Sequence, residues 1–181
     1  MQASQRVVFG HTMSALLERC AGGLTDEKWA QLAALGVSRT TLLPAYEFEI
    51  WCRVLEYLAR ETHPGLEIGD AELALGRGFI EKYASTLLGA ALFGLLRLLG
   101  TKRTIQRLTR SFRTGTSFTQ IEIAEETPTG CLLQFNVVEP RGRMTEGVLS
   151  KGLEQAGIPG VRVKLESHVG ESATYRVQWT S

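Results

Sequence analysis

Arg103, Arg107 and Arg110 stand at i, i+4 and i+7, a spacing that lays three guanidiniums along one face of a helix. Arg113 follows one turn later, and Arg97 and Lys102 lie close by. No acidic residue occurs between Glu81 and Glu122, so ion pairing within the helix cannot neutralise this face. It must meet water, an acidic surface elsewhere in the fold, or an anion.

Other residue types that do chemistry are sparse. His11, His63 and His168 have no Cys, Asp or Glu partner at metal-ligand or triad spacing, so no metal site and no catalytic residue is expected. Ser150 has Gly152 two residues after it but Val148 two residues before, and it sits in a predicted helix instead of a strand-to-helix turn, so it does not fit a nucleophile elbow. Gly147 and Gly152 lie within a predicted helix and read as tight packing of that helix on a sheet rather than as a phosphate loop. Cys20, Cys52 and Cys131 are far apart, odd in number and without a CxxC, the usage of a reduced cytoplasmic protein.

The 20 basic and 19 acidic residues nearly cancel, which argues against general nucleic-acid binding and confines charge effects to local patches. At 181 residues and 44% hydrophobic, the chain suits one domain spanning 1–181, mainly helical over 1–114 and sheet over 115–181. No signal-peptide pattern opens it, so a cytoplasmic location is expected. The run from Leu87 to Leu99 is shorter than the roughly 18 residues of a membrane span and is interrupted by Arg97. No membrane span is expected; the helix should be surrounded by protein or ligand instead.

Helical periodicity places Met13, Leu16, Leu17 and Cys20 on one buried stripe. A second helix opens at Thr25 as N-cap and stops at Gly36. A third, from about Ala45 to Glu61, carries Phe48, Trp51, Cys52, Leu55 and Leu58 on one side before His63-Pro64-Gly65 breaks it. Asp70 to Thr86 follows, with Leu73, Phe79, Ile80 and Tyr83 inward and Gly76 and Gly78 admitting a close backbone neighbour. Next come the apolar helix and, after Gly100, the arginine helix, about Thr101 to Phe112, with Ile105, Leu108 and Phe112 inward. Beyond residue 115 the period becomes two, predicting strands around Ile121, Leu133, Val163 and Val177, with one helix from Met144 to Ala156 between the second and third. The reading is an α+β fold: an N-terminal helical part packed on a C-terminal four-stranded antiparallel sheet in the order strand, strand, helix, strand, strand.

Several segments carry a resemblance: Val7-Val8-Phe9-Gly10 entering the first helix, Leu43-Pro44-Ala45-Tyr46, the apolar helix pair, and Thr145-Glu146-Gly147-Val148-Leu149 on the helix inserted in the sheet. Together they resemble the heme-nitric-oxide/oxygen-binding (H-NOX) fold and the related vinyl-reductase-type small-molecule-binding domains. Leu98-Leu-Gly-Thr-Lys-Arg-Thr104, Arg110-Ser-Phe-Arg-Thr-Gly-Thr-Ser-Phe118 and Tyr175-Arg-Val-Gln-Trp179 are also similar to an uncharacterised family of myxobacterial proteins of unknown function. The H-NOX resemblance implies a pocket between helices and sheet, a histidine after the apolar helix ligating heme iron, and a Tyr-x-Ser-x-Arg gripping the propionates. Here the corresponding stretches read Thr101-Lys-Arg103-Thr104 and Phe135, Val137 and Glu139. No heme and no other cofactor is therefore expected. Arg141, Arg143 or the arginine helix remain as anion clamps.

The function expected is a non-enzymatic, heme-less, H-NOX-like ligand-binding sensor or regulatory module. Leu88, Leu92, Phe93 and Leu96 would line its apolar site, Gly89, Ala90, Ala91 and Gly94 leaving room for a ligand. Arg103, Arg107 and Arg110 would form a basic rim reading an apolar or anionic small molecule. The alternative is an interaction or scaffold domain that docks an acidic protein partner through the arginine face and binds no ligand.

Overall fold

A computed structural model describes residues 5–180. Strand β1 (Val7–Phe9) pairs antiparallel with β2 (Ala45–Glu47), Val8 opposite Tyr46. The helix expected from Ala45 thus begins three residues later, because Ala45–Glu47 is spent on this two-stranded ribbon. Its alternation turns Tyr46 into the core, where the phenolic oxygen accepts the Leu43 N–H at 2.9 Å.

Helix α1 (Gly10–Cys20) buries the expected stripe of Met13, Leu16, Leu17 and Cys20. Helix α2 (Asp26–Ala34) is capped by Thr25, whose hydroxyl accepts the Lys28 N–H at 3.4 Å. Helix α3 (Phe48–Thr62) buries Trp51, Val54, Leu55, Leu58 and Ala59, and α4 (Ile68–Ala84) buries Ala71, Leu75 and Ile80. Leu73, Phe79 and Tyr83 are only half-buried. The chain then bends by 95° into α5 (Leu87–Arg97) and, after Gly100, enters α6 (Thr101–Phe112).

Strands β3 (Ile121–Thr127) and β4 (Gly130–Phe135) form one hairpin, and β5 (Arg162–Val169) and β6 (Ser172–Gln178) the other, with α7 (Arg143–Gln155) between them. The sheet order is β3-β4-β6-β5, all antiparallel, so the two hairpins join through β4 and β6 with Leu133 opposite Tyr175. Cys131, Leu133 and Phe135 of β4 and Ala173, Tyr175 and Val177 of β6 are buried in the core.

Helices α4 and α7 cross tightly. A Cβ on Gly76 would run into the Met144 carbonyl oxygen, and one on Gly147 into the Leu73 carbonyl oxygen. Gly147 therefore serves helix-on-helix packing, not helix-on-sheet packing as its place near the strands suggested. Two hydrophobic clusters result. One is built mainly from α1 to α4 with Val8, Tyr46 and Met144, the other mainly from the sheet with α5, α6 and α7 and Ile80 of α4; Phe79 and Val148 pack against both.

The apolar helix departs from expectation. Only Gly89, Phe93 and Leu96 of α5 are buried, whereas Leu87, Leu88, Leu95 and Leu98 are exposed by 91%, 72%, 62% and 81%. α5 lies on the surface of the molecule, so protein covers one side of it. No single helix in the described residues is long and apolar enough to cross a membrane.

Candidate functional site

A cavity of about 320 Å³ lies at the seam of the two clusters. Small-ligand sites occupy roughly 300–1,000 Å³, so this one suits a small molecule. Its walls are rings carried on separate elements: Phe48 and Trp51 from α3, Phe79 and Tyr83 from α4, Phe93 from α5, Phe112 from α6 and Phe135 from β4. Aromatic side chains are rigid and buttress one another edge to face. Phe112 meets Phe135 with centroids 5.3 Å apart, Phe135 meets Tyr175 at 5.3 Å, and Tyr83 meets Phe93 at 6.4 Å. Such a frame resists collapse and keeps the space open.

The segment after α6 supplies Thr114, Gly115, Thr116, Phe118 and Thr119 to the same wall. It is held to the start of the chain: the Phe9 N–H donates to the Gly115 carbonyl at 2.9 Å, the Ser117 N–H to the Val7 carbonyl at 2.9 Å, and Thr116 bridges to Val8. Phe118 stacks edge-on against Phe48 at 4.9 Å.

Among the described residues, the one carboxyl in the wall is Glu139, which follows β4. It is buried, and its oxygens accept the Thr145 N–H at 2.6 Å and the Thr145 hydroxyl at 2.8 Å. Gly142, at the N-cap of α7, has no side chain to offer, so Glu139 satisfies a first-turn amide in its place. Burial pushes its acid strength down, raising the pKa above the usual carboxylate value, and the Thr145 N–H opposes that shift only in part. Among the described residues, no Lys or Arg lines the cavity, and His11, exposed at the start of α1, is the one histidine that does.

The sequence-predicted residues divide. Leu92 and Phe93 line the cavity; Leu96 is buried beside it in the sheet-side core. Leu88 is exposed: it lies about 140° around the helix from Phe93 and about 80° from Leu96. Arg103, Arg107 and Arg110 are exposed and line no part of the cavity; α6 turns Leu108, Ser111 and Phe112 toward it instead. Arg141 and Arg143 are already engaged by protein carboxylates. Arg141 reaches Glu72 at 2.7 Å and Glu56 at 3.5 Å, while Arg143 reaches Asp70 at 3.1 Å and also pairs with Glu146. The contributions of α1, α3, α4 and α7 escaped the sequence reading, since nothing distinguishes a ring facing a void from one in a filled core. The Arg110–Phe118 pattern was the available signal for the wall after α6.

No activated thiol borders the space. Burial pushes the Cys20 and Cys131 thiols up to about 11 and Cys52 up to about 12, so all three stay protonated at neutral pH. Among the described residues no group of three His, Cys, Asp or Glu side chains is placed to hold a metal ion.

The fold is H-NOX-like. It is similar to the Fe(II) unliganded H-NOX protein from K. algicida, with a TM-score of 0.62 at 12% identity over 96% of this chain and 97% of that one. It is also similar to the S. oneidensis H-NOX protein in the Fe(II)NO state, TM-score 0.65 at 12% identity over 96% and 99%. A third likeness is to a single-residue variant of the Tt H-NOX, TM-score 0.68 at 7% identity over 96% and 95%. No curated protein matches the sequence.

Heme held in the manner the H-NOX resemblance implies would need an imidazole on α6 and a cationic clamp beyond β4. The cavity-facing residues of α6 are Leu108, Ser111 and Phe112, and Phe135, Val137 and Glu139 all line the wall at the clamp positions. A carboxyl there cannot supply the positive charge that pairs with a propionate. The residues at these positions do not fit heme held in that manner. Residues 6–180 match the model of the family described as a protein of unknown function (DUF2378), and the chain belongs to that family.

Proposed function

We propose that this protein is a non-enzymatic sensor module whose cavity binds a small apolar ligand without heme. The observation that carries the reading is the 320 Å³ space walled by aromatic rings from five elements, with no lysine or arginine in its lining. Apolar walls with a few placed polar groups are the ordinary build of a small-molecule site. The hydroxyls of Ser111, Thr116 and Thr119, with the Glu139 carboxyl, supply those groups here. Burial raises the Glu139 pKa and so disfavours charge on it, which suits a neutral, hydrogen-bonding ligand better than an anion. The cavity touches α4 and α7, whose glycine-tight crossing joins the two clusters; a ligand that fits it would fix how they pack together.

Native mass spectrometry of protein purified from its own host tests this. A stoichiometric small molecule, lost on Leu92→Trp, is the expected result. Protein that is reproducibly empty, and that takes up nothing from apolar metabolite pools, overturns it. Titration with hemin is expected to leave no Soret band characteristic of a ligated heme; such a band, abolished by His11→Ala, would overturn the heme-less part.

A further inference from the structure

From Lys82 to Ile121 the chain carries seven Lys and Arg residues and no Asp or Glu, while the rest of the chain is net acidic. Within this stretch α5 presents an apolar side to solvent. Leu87, Ala91, Leu95 and Leu98 recur at helical spacing with Leu88 beside them, and each of the four leucines is more than 60% exposed. Exposed leucines in this number on one helix are uncommon on a protein surface without a binding role.

The helix that follows supplies the charge. Lys102, Arg103, Arg107, Arg110 and Arg113 are exposed, and no carboxylate among the described residues lies within 4.0 Å of the last four. Lys102 begins this set four residues after Leu98, at most about 14 Å of chain. The end of the leucine side and the start of the basic helix are therefore close; Lys102 itself pairs with Glu126 at 3.5 Å, leaving the four arginines as the uncompensated charges.

We propose that α5 and α6 form a docking surface for an anionic lipid bilayer, with the leucines entering the headgroup boundary and the guanidiniums meeting lipid phosphates. Apolar residues beside a cluster of Arg and Lys, with no acidic residue among them, are the composition of interfacial helices. A second copy joined two-fold through α6 would oppose one arginine helix to another. A protein interface is rimmed by mixed polar groups, whereas here the exposed residues between Leu87 and Leu96 are Leu, Ala and Gly and the charges on α6 are all positive.

Sedimentation with vesicles tests the proposal. The protein should pellet with an equal mixture of phosphatidylcholine and phosphatidylglycerol, stay free with phosphatidylcholine alone, and dissociate as salt is raised. Each Lys or Arg near an anionic surface strengthens binding by about fivefold, so Arg103→Glu, Arg107→Glu and Arg110→Glu together should weaken it by far more than about tenfold. Leu88→Gln with Leu95→Gln should weaken it by at least about tenfold, the circular dichroism spectrum remaining that of the parent. Leu95→Trp gives a second readout: its fluorescence should shift to the blue on anionic vesicles only. Failure to pellet with either vesicle, or binding unchanged by both sets of substitutions, overturns the proposal. So does a dimer dissolved by the leucine substitutions, or salt-sensitive capture of an acidic protein without vesicle binding.

Discussion

Glu139 and Thr145 are joined twice, through the Thr145 N–H at 2.6 Å and its hydroxyl at 2.8 Å, and this pair ties the end of β4 to the start of α7 inside the cavity wall. Because burial raises the folded-state pKa of Glu139, the folded protein holds that proton more tightly than the unfolded chain. The contribution is complete below the unfolded value of about 4.3 and is lost as pH rises toward the folded value. Glu139→Gln keeps an acceptor for the Thr145 N–H and should flatten this part of the pH dependence. Glu139→Ala strands the amide and should cost about 1–3 kcal/mol. Urea denaturation across the acid-to-neutral range measures both.

Arg141 holds the buried Glu72 at 2.7 Å. Burial raises the Glu72 pKa and Arg141 opposes the rise, so Arg141→Met should raise it further and steepen the loss of stability with increasing pH. The expected cost near neutrality is about 1–3 kcal/mol; Arg141 is partly solvated, which keeps it below that of a fully buried pair. Adding Glu72→Gln should recover most of it, and a denaturation series of the two single variants and the double variant measures the coupling.

The α4–α7 crossing depends on absent side chains. Gly147→Ala drives a methyl into the Leu73 carbonyl and Gly76→Ala drives one into the Met144 carbonyl. Each should cost about 1–3 kcal/mol as the helices separate. The two together should cost less than their sum, because one displacement relieves both clashes. Thermal melts of the three variants measure this.

Phe112 braces the cavity against Phe135 at 5.3 Å and is only half-buried. Phe112→Ala should enlarge the space and destabilise by about 3 kcal/mol, at the low end for an aromatic truncation because its ring already borders a void. Uptake of an apolar dye should rise in the same variant, and a filled site in the Leu92→Trp protein should abolish that uptake.

Local signals carried far along the chain where one residue's type settles its own backbone. The Met13, Leu16, Leu17 and Cys20 stripe, the Thr25 cap, the Gly100 break and the alternation around Ile121 and Leu133 placed helices and strands in their observed order. The α+β class, with two hairpins flanking one helix, followed from that order. Ala45–Glu47 read as helix because pairing with Val7–Phe9 is a contact across nearly forty residues, invisible to periodicity.

The sequence alone determined that α5 would be apolar almost all the way round and that α6 would be basic on one face; it also put no histidine in Thr101–Thr104, where the H-NOX resemblance implies a heme ligand. These are properties of residue types and of the 3.6-residue helical period. Only the tertiary structure decided which side of α5 is covered. It put Leu92 and Phe93 on a cavity and left Leu88 in solvent, and it turned Arg103, Arg107 and Arg110 away from the space they were expected to rim. A cavity is an absence shared among helices, strands and a connecting segment far apart in the chain. Its existence depends on how rigid rings from all of them fail to meet, which no single stretch of sequence encodes.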